Sequence, residues 1–194
     1  MHQAVILGNG PSRQNWNYRK EYPNAFVFGC NGAYEDTDVD AIVCNDIGMQ
    51  HIIYSSGYCV NNKCYFSEWN NPIPAIFYDD LISTFNAKIV ENKKTENFML
   101  RGTENVTYVT WVKEDLVEHV HEELISTGSK AIRIACELGY TDLLLAGFDG
   151  VTADSIYKVM GRPGYGVSTP RDFWEIEREN ILKEYPNVNY CYRR

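Results

Sequence analysis

Long apolar runs are absent. Nowhere do the 194 residues approach the ~20 consecutive apolar positions that span a bilayer, so no membrane helix is expected. The N-terminus lacks the basic and apolar regions of a signal peptide and enters a predicted strand directly, which places the chain in the cytoplasm as an expectation. Positive charge is scarce: 18 Lys and Arg face 26 Asp and Glu, for a formal charge of -8. Such a balance repels polyphosphate and argues against strong duplex nucleic-acid binding. It leaves room for a local basic site, and Lys158, Arg162 and Arg171 fall close together in the sequence. Histidine numbers only four, none beyond His121. Cys59 and Cys64 form a CxxxxC pair without the second Cys or His pair that a zinc site needs, while Cys30, Cys44 and Cys136 lie in apolar segments where a reduced thiol acts as a small hydrophobe. No internal repeat or low-complexity segment occurs.

What remains is ordinary for a soluble globular protein, with 44% hydrophobic and 23% charged residues in a length that suits one domain over 1–194. The informative stretch comes first. Residues 4–7 are an apolar run of the kind buried on both faces of a parallel sheet, and they lead into Gly8, Asn9, Gly10, Pro11 and Ser12. Glycines let a ligand approach the main chain, Pro11 presets a helical φ, and Ser12 offers a hydroxyl to an amide or an anion. The turn is therefore expected to present open N–H groups to a diphosphate. It is neither the GxGxxG dinucleotide fingerprint nor a Walker loop, so neither NAD nor a P-loop ATP is expected. A tight strand-to-helix turn without a ligand is the plainer alternative.

Further along, residues 25–30 and 41–44 are predicted strands, ending in Asn31–Gly32 and in Asn45. Three strands thus end in Asn9, Asn31 and Asn45. A carboxamide carries a donor and an acceptor, which suits a base edge or ribose hydroxyls at the rim of a parallel sheet, although Asn also favours turns. The acidic residues 35–40 read as a solvated loop without calcium-loop spacing. Residues 60–66, 73–78 and 106–112 are candidate strands, 89–105 a polar insertion, and the stretch around His119 and His121 a helix unsuited to metal. Ser126 caps a predicted helix with Ala131, Ile134, Ala135 and Leu138 at helical spacing, and Gly139 ends it. Residues 143–146 form another buried strand, closed by Gly147, Phe148 and Asp149, whose carboxylate is a candidate for catalysis, for ribose binding or for capping the turn. The glycine-rich residues 150–169 read as a lid. An amphipathic helix over 170–183, with Phe173, Trp174, Ile176 and Ile181 on its buried side, precedes a last strand at 188–192.

Three pieces together resemble the bacterial sialyltransferases of the Campylobacter lipooligosaccharide type (glycosyltransferase family 42) and the related pterin-pyrophosphokinase-like domains (DUF115), a superfamily also found in phages. They are residues 5–12, Cys30–Asn31 with Asn45, and 126–128 leading through 135–140 to 145–149. The resemblance implies a doubly wound, mainly parallel α/β fold, Rossmann-like and a variant of the GT-A architecture. It implies a metal-independent glycosyltransferase that moves a sugar from a nucleotide-sugar donor to a hydroxyl acceptor, with no bound cofactor. Gly8, Asn9, Gly10 and Ser12 would contact phosphate and ribose, Asn31 and Gly32 the base and sugar, Asn45 the donor, and Thr127 with Gly128 its charged end. Tyr157 matches a tyrosine placed on the departing phosphate, where a hydrogen bond strengthens as charge develops, and Arg162, with Lys158 as its alternative, is the candidate cation beside it. Those enzymes carry a histidine base after the lid; here Asp149, Asp154 and Asp172 are the carboxylates in its place, with Asp149 the candidate base. The relatives commonly assemble, so a homo-oligomer is implied. Magnesium-dependent diphosphate transfer from ATP and a catalytically silent nucleotide-binding module stand as alternatives, and the acceptor is a glycan or a nucleotide or modified DNA.

Overall fold

Continuous apolar runs build the centre of the molecule. The computed structural model describes residues 2–66, 73–74, 88–89, 97–103, 106–110, 117–119, 125–149, 155–159 and 171–193. Its contacts gather into two units, one of residues 1–43 with 124–194 and one of residues 44–123.

In the first unit, β1 (Gln3–Leu7), followed by α1 (Tyr18–Glu21), β2 (Phe26–Cys30) and β3 (Ala41–Cys44) come in chain order before the second unit intervenes. The second unit comprises α2 (Ile47–Ser56), β4 (Cys64–Phe66), β5 (Ile73–Pro74), β6 (Lys88–Ile89), β7 (Asn97–Thr103), β8 (Val106–Thr110) and β9 (Val117–His119). The chain then returns with α3 (Thr127–Glu137), β10 (Asp142–Ala146), α4 (Ile156–Val159), α5 (Arg171–Glu184) and β11 (Asn189–Tyr192).

Every strand pairing in the first unit is parallel, in the order β11, β10, β1, β2, β3. The class is thus α/β with a mainly parallel sheet. Residues 4–7 of β1 are buried on both faces between β10 and β2, as the uninterrupted apolar run requires. Trp16 and Tyr18 close one side of this core against Val5, Val27 and Leu144. Asn17 caps α1 by accepting from the Lys20 N–H, and Ser126 caps α3 by accepting from the Ser129 N–H. Helix α3 packs on β1, β2 and α5.

Two segments differ from expectation. Residues 97–103, inside the expected insertion, form a strand paired antiparallel with β8, because two short strands with their ends at 103 and 106 satisfy each other's backbone groups as a hairpin. Val117–His119 is a strand parallel to β4 rather than part of a helix, so its local charge pattern yields to ladder bonding; His121 lies outside the described residues. The amphipathic helix α5 also turns a different face inward. Phe173 and Ile176 are 51% and 57% exposed, while Glu177, Arg178, Ile181 and Leu182 are buried.

Among the described residues, no helix is long and apolar enough to cross a membrane. All six cysteines are free, and Cys191 is the exposed one. Burial pushes the Cys30 thiol up to about 12 despite the opposing field of Arg13, and burial also raises Cys64.

Candidate functional site

The carboxyl ends of β10, β1 and β2 lie side by side, and the loops that leave them form the site. Beyond β1 the ladder continues into the turn: the Gly8 N–H donates to the Ala146 carbonyl and the Gly10 N–H to the Gly147 carbonyl, each at 2.8 Å. The two turns are pressed together. A Cβ on Gly10 would stand 1.9 Å from Asp149 Oδ2, and one on Gly8 2.5 Å from the Gly147 oxygen. Gly147 adopts a left-handed φ of +78°, open to glycine at little cost.

Asp149 fastens this crossing. Its Oδ2 accepts from the Ser12 N–H at 3.1 Å and from the Ser12 hydroxyl at 3.0 Å, while that hydroxyl accepts from the Gly147 N–H at 2.8 Å. The expectation of open amides therefore needs correction at Gly8, Gly10 and Ser12. Two amides extend the parallel ladder, and the third holds a carboxylate of the protein's own. A diphosphate placed on this turn meets the charge of Asp149.

Asn9 is different. Its carbonyl accepts from the Ile156 N–H at 2.8 Å, which ties α4 to the turn. Its Oδ1 is buried without a hydrogen-bond partner, and so is Oδ1 of Asn31 at the end of the neighbouring strand β2. Asn31 also takes a left-handed φ of 56°, a conformation Asn tolerates better than most side chains. Gly32 and Ala33 are buried behind it in a short 3₁₀ turn over Asn31–Glu35. Asn45 belongs to the second unit, where its carbonyl accepts from the Gln50 side chain at 3.4 Å.

Tyr157 is fully buried, and its phenol joins Arg13 to Asp36. Arg13 donates from Nη2 to the phenol oxygen, and the phenol donates to the Asp36 carboxylate at 3.1 Å from either oxygen. Arg13 also pairs with Asp36 at 3.2 Å and donates to Thr37 Oγ1 at 2.7 Å. The guanidinium carbon stands 5.3 Å from the centre of the Tyr157 ring. This knot anchors α4, which lies within the segment read as a lid, to the first turn and to the loop after β2. Of the lid, 150–154 and 160–169 lie outside the described residues, including Arg162 and Asp154. The side chains of Lys158, Arg171 and Asp172 also lie outside them.

At the other side of the edge, Gly128 packs on Phe148: a Cβ there would stand 2.7 Å from Phe148 Cε1. Thr127 opens α3 beside it. Glu177 of α5 accepts from the Ser126 N–H at 2.9 Å and the Ser129 hydroxyl at 3.1 Å, so the start of α3 already faces a carboxylate.

Sequence reading missed Arg13, Asp36 and Arg178. Asp36 was legible only as part of an acidic loop, and Arg13 only as the residue after Ser12. Arg178 did carry a signal: it falls at helical spacing with Trp174, Ile181 and Leu182, a charge on an apolar stripe.

The chain matches no protein-family model and no curated protein.

Proposed function

We propose that the protein is a nucleotide-sugar-dependent glycosyltransferase that binds its nucleotide over the ends of β1 and β2. The observation that carries this reading is the pair of buried, unpartnered carboxamide oxygens of Asn9 and Asn31. A buried acceptor without a donor is costly, and each one left in a native protein calls for an explanation. Ribose hydroxyls and base N–H groups supply the missing donors. The parallel sheet with its site at the carboxyl edge suits a doubly wound, Rossmann-like fold, in which ligands occupy that crevice.

In this reading residues 150–169 close as a lid over a cytoplasmic enzyme's donor, and the acceptor hydroxyl attacks the anomeric carbon. A carbon–oxygen bond forms there as the bond to the nucleoside phosphate breaks. The hydroxyl proton passes to a carboxylate, for which Asp149 is the candidate, and the departing phosphate keeps the bonding electron pair. Arg162 is the candidate cation for that charge, while Tyr157 stays held between Arg13 and Asp36. Thr127 and Gly128 border the donor's charged end. Metal has no required role in these steps.

The test is thermal denaturation with CMP, UDP, GDP, dTDP and ATP, each with and without Mg²⁺. A ligand at 100 times its Kd stabilises by about 2.7 kcal/mol. Stabilisation by one nucleotide without metal, lost in Asn9→Ala and Asn31→Ala, is the expected result. A response to ATP alone that depends on magnesium instead supports diphosphate transfer, and silence throughout removes the nucleotide site.

A further inference from the structure

Arg178 is 5% exposed, yet among the described residues it makes no hydrogen bond or ion pair, and its Nε is buried without a partner. Its neighbours are rings: the guanidinium carbon stands 5.3 Å from the centre of Phe148 and 5.9 Å from that of Tyr192. Glu177, next in the chain, does not neutralise it, since Glu177 Oε2 receives the Ser126 N–H and the Ser129 hydroxyl. A buried arginine whose Nε has no acceptor and whose guanidinium lies against two aromatic rings is far from its usual state, because buried charges are ordinarily paired.

Its position gives that state a use. Phe148 lies between Gly147 and Asp149 on the loop that leaves β10, with one edge near Gly8 and another against Gly128. Tyr192 is the last residue of β11. Arg178 therefore stands at the carboxyl edge of the sheet, over the ring of Phe148. Arg193 adds a second guanidinium at this edge, donating from Nε to the Ser12 carbonyl at 3.2 Å. The first turn, by contrast, is held by the carboxylate of Asp149.

We propose that Arg178 binds a phosphate of the nucleotide, so that the anionic end of the ligand lies over Phe148 toward α5 and not on the Gly8–Ser12 turn. The inference rests on the nucleotide reading above and assigns the phosphate an address. A guanidinium fixed against aromatic rings loses little freedom on binding and offers two parallel N–H groups to an oxyanion.

Calorimetric titration of the full chain with adenosine, cytidine, guanosine, thymidine and uridine, their 5′-diphosphates, and inorganic pyrophosphate tests it. In the wild type the preferred diphosphate binds at least about tenfold tighter than its nucleoside, the gain expected from hydrogen bonds to a charged group. Arg178→Gln removes that gain, leaves nucleoside affinity within about twofold, and abolishes pyrophosphate binding. Arg178→Lys keeps charge and stem but not the fork, and it weakens pyrophosphate with an unchanged circular dichroism spectrum; this variant decides the matter if Arg178→Gln does not fold. Pyrophosphate binding that depends on Arg178 without any nucleoside or nucleotide binding supports the phosphate site and removes the nucleotide reading. Pyrophosphate and diphosphate affinities unaffected by either variant overturn the inference, as does a wild type that binds neither probe.

Discussion

Tyr157→Phe isolates one hydroxyl in a fully buried place. The ring and its packing stay, so no cavity opens, and what disappears is the donation to Asp36 at 3.1 Å together with the bond received from Arg13. Both partners are charged, and hydrogen bonds to charged groups contribute about 1.5–3 kcal/mol each way of counting them. Arg13 still holds Thr37 and Asp36, so the loss should stay within that range and not double it. Asp36→Asn should cost a similar amount. It leaves the guanidinium, 4% exposed, without its counter-ion, but Asp36 itself is 34% exposed and water screens the pair. Urea unfolding of the two single variants and the double variant closes a thermodynamic cycle. A coupling of about 0.5–2 kcal/mol is expected, because each change removes part of the other's interaction. Additivity within about 0.3 kcal/mol, or a Tyr157→Phe variant as stable as wild type, would refute the buried network.

Two glycines separate steric from conformational cost. Gly10→Ala drives a methyl into Asp149 Oδ2 and the Gly147 carbonyl and should lose about 1–3 kcal/mol or more in urea unfolding. Gly139→Ala meets nothing within 4 Å but holds φ at +84°, so its loss should be about 1–2 kcal/mol; a Gly10→Ala variant as stable as wild type would contradict the close crossing of the turns. Alkaline pH should destabilise the fold. Burial raises Cys30 from an ordinary 9.0 to about 12, so the folded thiol keeps its proton while the unfolded one ionises; stability is full below pH 9 and falls as pH rises toward 12. Thiol-reagent kinetics at pH 8 should show Cys191 reacting and Cys30 protected, and early modification of Cys30 would argue against its burial.

The strands of the first unit were legible one by one. Residues 4–7, 26–30, 41–44 and 143–146 are apolar without alternation, and only a strand covered on both faces can use such a run. The Ser126 cap and the Gly139 stop of α3 were also local signals, since a cap is chemistry between residues three apart. Asn9 and Asn31 could be nominated because strand ends are visible in sequence, but their unpartnered oxygens could not. β8 was legible as a strand, while β7 was read as part of a polar insertion, because its pairing with β8 joins backbone groups that leave no mark in the sequence.

Sequence by itself determined where the apolar strands begin and stop, and which turn residues leave them, because those depend on neighbours along the chain. Tertiary structure decided everything that joins distant positions: Asp149 on Ser12 across 137 residues, Tyr157 between Arg13 and Asp36, and Arg178 against Phe148 and Tyr192. The order of β11, β10, β1 and β2 sets those meetings, and a parallel sheet fixes that order through crossovers whose partners are far apart in sequence. The same packing turned α5 so that a Glu–Arg pair faces inward and Phe173 and Ile176 face water, a choice its own periodicity left undetermined because both stripes lie on one helix.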